Sequence, residues 1–161
     1  MNKQSGFTLI ELVAVIVLLG VLAVTALPRF IDLRGDARLG VLESVAASMR
    51  SASVQVYAKA LMQDSLASTD TVNDNGELID TRFGYPRANS VGNEDISNLI
   101  SIDGDDSLKF QDGGGAVRRV GYDADDDGNV TDDNCYIIYN NSIAVGDLPE
   151  IDILDANVAD C

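Results

Sequence analysis

The chain has 161 residues, 46% of them hydrophobic, and carries 26 acidic side chains against 11 basic ones, a formal charge of −15. That balance excludes a phosphate-gripping nucleic-acid binder, which needs surplus Lys and Arg, so no nucleic acid is expected as a partner. With no His and no Trp, neither a Ser-His-Asp triad nor a His-ligated zinc site can be built. The chain is therefore expected not to be an enzyme, and its length fits one domain with a real core.

Residues 1–6, MNKQSG, form a short leader whose only basic side chain, Lys3, orients it toward the cytoplasm by the positive-inside rule. Residues 7–27, FTLIELVAVIVLLGVLAVTAL, hold one charge, Glu11. As a helix this run is about 31 Å long, enough to cross a bilayer. It reads as a transmembrane helix over 7–28 with the rest of the chain outside. Two alternatives stand beside it: a plain single-pass anchor, and a secretory signal peptide cut near Ala26, with Val24 and Ala26 small enough for the peptidase. The charge at Glu11, the single positive charge of the leader and Pro28 two residues past the cut all fit a signal peptide poorly.

Glu11 is the most informative residue, because a carboxylate in an apolar segment costs several kcal/mol unless protonated or paired, and so marks function by default. The next cation is Arg29, about 27 Å further along a helix. Removal of the leader between Gly6 and Phe7 would supply a nearby amine, from the same chain or from a neighbouring copy.

The stretch Gly6-Phe7-Thr8-Leu9-Ile10-Glu11-Leu12 resembles the GFTLIE motif of type IV prepilins and type II secretion pseudopilins. The resemblance implies that a prepilin peptidase cuts after Gly6 and N-methylates Phe7, and that Glu11 neutralises the amine of an adjacent subunit and sets assembly register. It also implies that Gly20 and Pro28 are helix-weakening positions in a long N-terminal helix. PRFIDLRGDAR over 28–38, Gly84-Tyr85-Pro86 and Cys135-Tyr-Ile-Ile-Tyr139 are, more finely, similar to the mannose-sensitive haemagglutinin class of type IV pilins.

Over 29–62, Phe30, Leu33, Ala37, Val41, Val45, Met49, Ala52, Val56 and Ala60 recur at three- or four-residue steps, the pattern of an amphipathic helix. Pro28 cannot donate a backbone hydrogen bond, so a kink or local break is expected between the two halves. Residues 63–98 turn to Asp, Ser, Thr, Asn and Gly, with Asn75-Gly76 and Tyr85-Pro86 as turn signals. They read as a connecting surface loop region with a short helix near 96–100. Within 99–161, apolar runs at 107–110, 116–122 and 135–139 read as antiparallel strands, with 112–115 closing a hairpin and Asn140-Asn141 making another turn. The expected class is α+β, a sheet laid on a long helix, and the resemblance implies the pilin fold.

Cys135 and Cys161 are the only cysteines. An outward-facing domain lies in an oxidising compartment, so they are expected to bond. In the chain-entropy model such a loop is worth roughly 3 kcal/mol, and it ties down a terminus that would fray. Pilins commonly carry such a loop, whereas the major pseudopilins usually lack it. After Arg119 no basic residue occurs, while Asp123, Asp125, Asp127, Gly128 and Asn129 match the first half of an EF-hand loop. The second half departs from it: Asn134 stands where a bidentate Glu belongs, and strands rather than helices flank the loop. Two readings follow, a calcium site held by Asp123, Asp125, Asp127 and the Asn129 carbonyl, or a solvated acidic turn. No other cofactor is expected.

The functional expectation is a structural subunit of a type IV pilus. It is stored in the bacterial inner membrane with its C-terminal domain periplasmic, then polymerised into an extracellular filament for surface attachment and biofilm formation. The implied partners are identical or homologous subunits, the prepilin peptidase, and an assembly platform with its ATPase, since the chain has no P-loop of its own. The alternatives are a type II secretion pseudopilin and a membrane-tethered enzyme or calcium-binding module.

Overall fold

The computed structural model describes residues 8–102, 108–154 and 161, and for 26–33 and 154 the backbone alone. One helix, α1, runs Leu9–Gln63 over 55 residues, or about 83 Å. It ends where Asp64 takes the left-handed conformation (φ 56°) and donates its N–H to the Ala60 carbonyl. The helix passes through Pro28 as one element, so the local break expected there does not occur. A prolyl residue removes one donor from the ladder, and the long flanking segments keep the remaining rungs cooperative.

The second half of α1 buries Leu42, Val45, Ala46, Met49, Val56 and Ala60, a face at three- and four-residue steps. The stripe read from the sequence is off by one position near its start: Val41 is 41% exposed and Leu42 fully buried, because each residue turns the helix by about 100°. Ala37 is exposed. Phe30 and Leu33 lie outside the described side chains.

The segment 63–98 is not the loop region expected. It forms a three-stranded antiparallel sheet of β1 (Asp70–Asp74), β2 (Glu77–Arg82) and β3 (Tyr85–Pro86). Asn75 (φ 56°) and Gly76 (φ 104°) make the two-residue turn between β1 and β2, the left-handed pair that suits strand twist. Tyr85-Pro86, taken from the sequence as a turn, is strand; Phe83 and Gly84 make that turn with positive φ. Residues 96–100 form turns and bends rather than a helix. Asp95 holds them by accepting the Ser97 N–H and hydroxyl, while Ile96 and Ile100 plug the core.

A second antiparallel sheet has β4 (Leu108–Asp112), β5 (Val117–Tyr122), β6 (Tyr136–Asn140) and β7 (Glu150–Leu154) in sequential order. The 112–115 hairpin forms as expected, with Asp112 Oδ1 accepting the Gly114 N–H at 2.7 Å and Gly113 donating to Val117. Strand β7 was not expected, although Ile151 and Ile153 alternate with acidic residues. Ile151 is buried and Asp152 exposed.

The core lies between α1 and the four-stranded sheet, where Leu42, Ala46 and Met49 meet Val120, Tyr122, Ile137 and Tyr139. Tyr139 donates its hydroxyl to the Pro86 carbonyl at 2.6 Å, joining the two sheets through a buried bond. Arg118 on β5 meets the buried Asp95 at 2.7 Å and donates to the Ala88 carbonyl at 2.8 Å, a paired rather than orphaned interior charge. The chain is thus the α+β class expected, a long N-terminal helix packed on antiparallel sheet with a Cys135–Cys161 disulfide near its C-terminus.

Candidate assembly surface and acidic loop

In the first half of α1, residues 8–25 are all exposed. Leu9, Ile10, Leu12, Ile16, Val17, Leu18, Val21 and Val24 are each more than half exposed, and Leu9 reaches 79%. Ile10, Val13, Ala14, Val17, Leu18 and Val21 line a shallow, almost wholly apolar groove along it. Gly20 lies in this bare segment, and a Cβ added there would meet nothing within 4 Å. So much exposed contiguous apolar surface marks a contact surface in a folded protein. Among the described residues no helix is long and apolar enough to cross a membrane. Gly6 and Phe7 lie outside the described residues, and Pro28 is described by its backbone only.

Glu11 finds its partner in Thr8 rather than in a cation. Its carboxylate accepts the Thr8 N–H at 2.9 Å and the Thr8 hydroxyl at 2.7 Å, while Thr8 Oγ1 accepts the Glu11 N–H at 3.4 Å. This is a capping box, which satisfies N–H groups that the first helical turn leaves open. The signal was in the sequence as Thr-x-x-Glu. The Glu11 carboxylate is thereby held at the helix start against Thr8, the residue that follows Phe7 in sequence.

Cys135 and Cys161 are bonded, with their Cα atoms 4.8 Å apart, and both are buried.

The loop from β5 to β6 brings Asp123, Asp125 and Asp127 together, with one carboxylate oxygen of each within 4.8 Å of the others. Asp123 is buried and the other two are exposed. Asp123 Oδ1 accepts the Asp127 N–H at 3.1 Å, and its Oδ2 accepts the Gly128 N–H at 3.0 Å and the Lys109 ammonium at 2.8 Å. Lys109 also pairs with Asp126. The Lys109 hydrogen bond holds the Asp123 carboxyl below the usual carboxylate range, against its burial and with help from the two amides. Lys109 is raised in turn by Asp123 and Asp126. Asp125 is pushed up: the Asp127 amide lowers it, but lost hydration and the charges of Asp127, Asp133 and Asp132 outweigh that bond.

Three carboxylate oxygens form a donor set for a hard divalent cation, yet the innermost already holds an ammonium. A calcium ion there would have to take Asp123 Oδ2 from Lys109. The Asn129 side chain is engaged by Thr131 at 2.7 Å and by Gln111 at 3.1 Å, leaving its carbonyl as the oxygen to consider. The role of Lys109 was not legible in the sequence, because it stands on β4, before the acidic segment begins.

Residues 1–27 match the family model described as the prokaryotic N-terminal methylation motif. The type IV narrow pilus major component of Thermus thermophilus is 46% identical over 61 residues, covering 38% of this chain and 49% of that protein. Fimbrial protein Q of Moraxella bovis is 31% identical over 121 residues, covering 74% of this chain and 76% of that protein. The chain thus spans about half the length of the first relative and three quarters of the second. No solved structure matches it.

Proposed function

Because the chain belongs to the type IV pilin family, we propose that it is the structural subunit of a type IV pilus of the mannose-sensitive haemagglutinin class. On this reading it performs no catalysis and serves surface attachment. The observation that carries it is the bare apolar half of α1: surface that one subunit leaves uncovered is covered by lipid before assembly and by other subunits afterwards. The leader 1–6 is removed by a prepilin peptidase, Phe7 becomes the N-methylated terminus, and 7–28 anchors the subunit in the inner membrane with the C-terminal domain periplasmic. Glu11 then faces its own terminal amine or that of a neighbour, a role supported by the bond its carboxylate makes to the Thr8 N–H. Gly20 and Pro28 give that segment the adaptability packing requires, and a separate platform and ATPase drive polymerisation. The Cys135–Cys161 bond supports this reading over a secretion pseudopilin. For the acidic loop the proposal is a turn stiffened by calcium through Asp123, Asp125, Asp127 and the Asn129 carbonyl, in competition with Lys109.

The test is intact mass spectrometry of protein sheared from cell surfaces beside protein left in membranes. A sheared species that begins at N-methylated Phe7 and lacks two hydrogens is the expected result. Processed protein confined to the envelope would favour a pseudopilin, and a start after Ala26 would overturn the reading. Glu11→Val should insert normally and assemble poorly; normal filament yield would remove the pairing role.

A further inference from the structure

We propose that Arg38 is the positioning residue of the Cys135–Cys161 bond, holding both cysteines at their meeting point before the thiols are oxidised. Arg38 Nη1 donates to the Cys161 carbonyl at 2.6 Å. Its guanidinium carbon lies 4.8 Å from the centroid of the Tyr122 ring, within the range of a cation resting on an aromatic face. Tyr122 in turn donates its N–H to the Cys135 carbonyl at 3.0 Å. One cation on α1 thus grips the backbone of one cysteine and lies on the residue that is bonded to the backbone of the other. Tyr122 and Cys135 are almost fully buried and Cys161 is 8% exposed, so the arrangement sits in the core beneath the helix.

Oxidation removes one proton and one electron from each thiol and forms the sulfur–sulfur bond, while a disulfide oxidant such as glutathione disulfide is cleaved to two thiols. The equilibrium depends on how often the two thiols meet in the reduced chain, their effective concentration. A cysteine pinned at its carbonyl meets its partner more often than one whose backbone nothing holds. Arg50 provides the internal comparison: it lies on the same helix and makes the same kind of bond, Nη2 to the Ile151 carbonyl at 2.9 Å, but on β7, away from the cysteines in sequence.

The experiment equilibrates the full chain in detergent micelles with reduced and oxidised glutathione, followed by acid quenching, thiol alkylation and mass counting. Arg38→Met keeps an unbranched apolar stem and removes the donors and the charge. It should lower the equilibrium constant about tenfold, the ratio associated with a charge-assisted hydrogen bond. Arg38→Lys should recover part of that loss, and Arg50→Met should stay within about twofold of wild type. Should Arg38→Met not fold, Arg38→Gln serves in its place with the same expectation. An unchanged constant in the Arg38 variant, or an equal fall in Arg50→Met, would overturn the proposal.

Discussion

The side-chain amide of Gln63 pairs with both backbone groups of Asn73: its Nε2 donates to the Asn73 carbonyl and its Oε1 accepts the Asn73 N–H, each at 2.9 Å. The last residue of α1 therefore imitates a neighbouring strand at the edge of β1, where unpaired backbone groups would otherwise face solvent. Gln63→Ala should cost about 1 kcal/mol, the net worth of exposed neutral hydrogen bonds. Urea unfolding would measure this, with amide exchange accelerated at Asn73 and unchanged in β5.

Gly84 has a positive φ of 86°, and an added Cβ would stand 2.7 Å from Leu66 Cδ2, 2.9 Å from Tyr57 Cδ2 and 3.2 Å from Ala60 Cβ. Tyr57 is stacked on Tyr85 with ring centroids 4.4 Å apart, so it cannot retreat without breaking that stack. Gly84→Ala should destabilise by about 3 kcal/mol, combining overpacking with left-handed strain. Gly92→Ala, with a φ of 91° but open space around it, should cost about 1 kcal/mol from backbone strain alone. Thermal melts of the pair separate the two contributions, and near-ultraviolet tyrosine ellipticity should change only for Gly84→Ala.

The long helix, the sheet after it and the disulfide were legible because each has a local signature: period in α1, the Asp112 to Gly115 turn, and two lone cysteines in a domain expected to face outward. The first sheet was not. In β1 and β2 only Val72, Ile79 and Thr81 are buried, so polar residues dominate the composition and conceal the strands. Strand β7 was hidden in the same way, its two isoleucines set among Glu150, Asp152 and Asp155. The capping role of Glu11 was legible and missed, whereas the placements of Lys109 and Arg38 depend on tertiary contacts that no spacing displays.

The Lys109–Asp123 pair sets a pH dependence. Asp123 is depressed in the folded state, so its contribution is complete above the unfolded value of about 3.9 and is lost as pH falls through the lower folded value. Lys109 is raised, so its contribution is complete below its unfolded value of about 10.4 and is lost only as pH rises through the folded one. Unfolding free energy measured from pH 7 down to acid should fall less steeply in Lys109→Met than in wild type. Superimposable profiles would detach Lys109 from the acid limb.

On the proposed reading, calcium would have to compete with Lys109 for the same Asp123 oxygen. Millimolar calcium should raise the melting temperature of the wild-type chain by a few degrees and that of Lys109→Met by more, with the effect removed by chelator. Melts that ignore calcium in both proteins would leave only a solvated acidic turn.

The bond from Arg38 to Cys161 joins positions 123 residues apart, and its consequence is one of timing. The chain is made from its N-terminus, so the packing face of α1 emerges long before the last strand and the final cysteine that close over it. At synthesis rates of roughly 5–20 residues per second, the apolar positions Leu42, Ala46 and Met49 wait on the order of ten seconds for their cover. Ala88, Ile96 and Ile100 of the same cluster emerge earlier, so the core is covered in two stages, and the stage that depends on β5, β6 and Cys161 comes second.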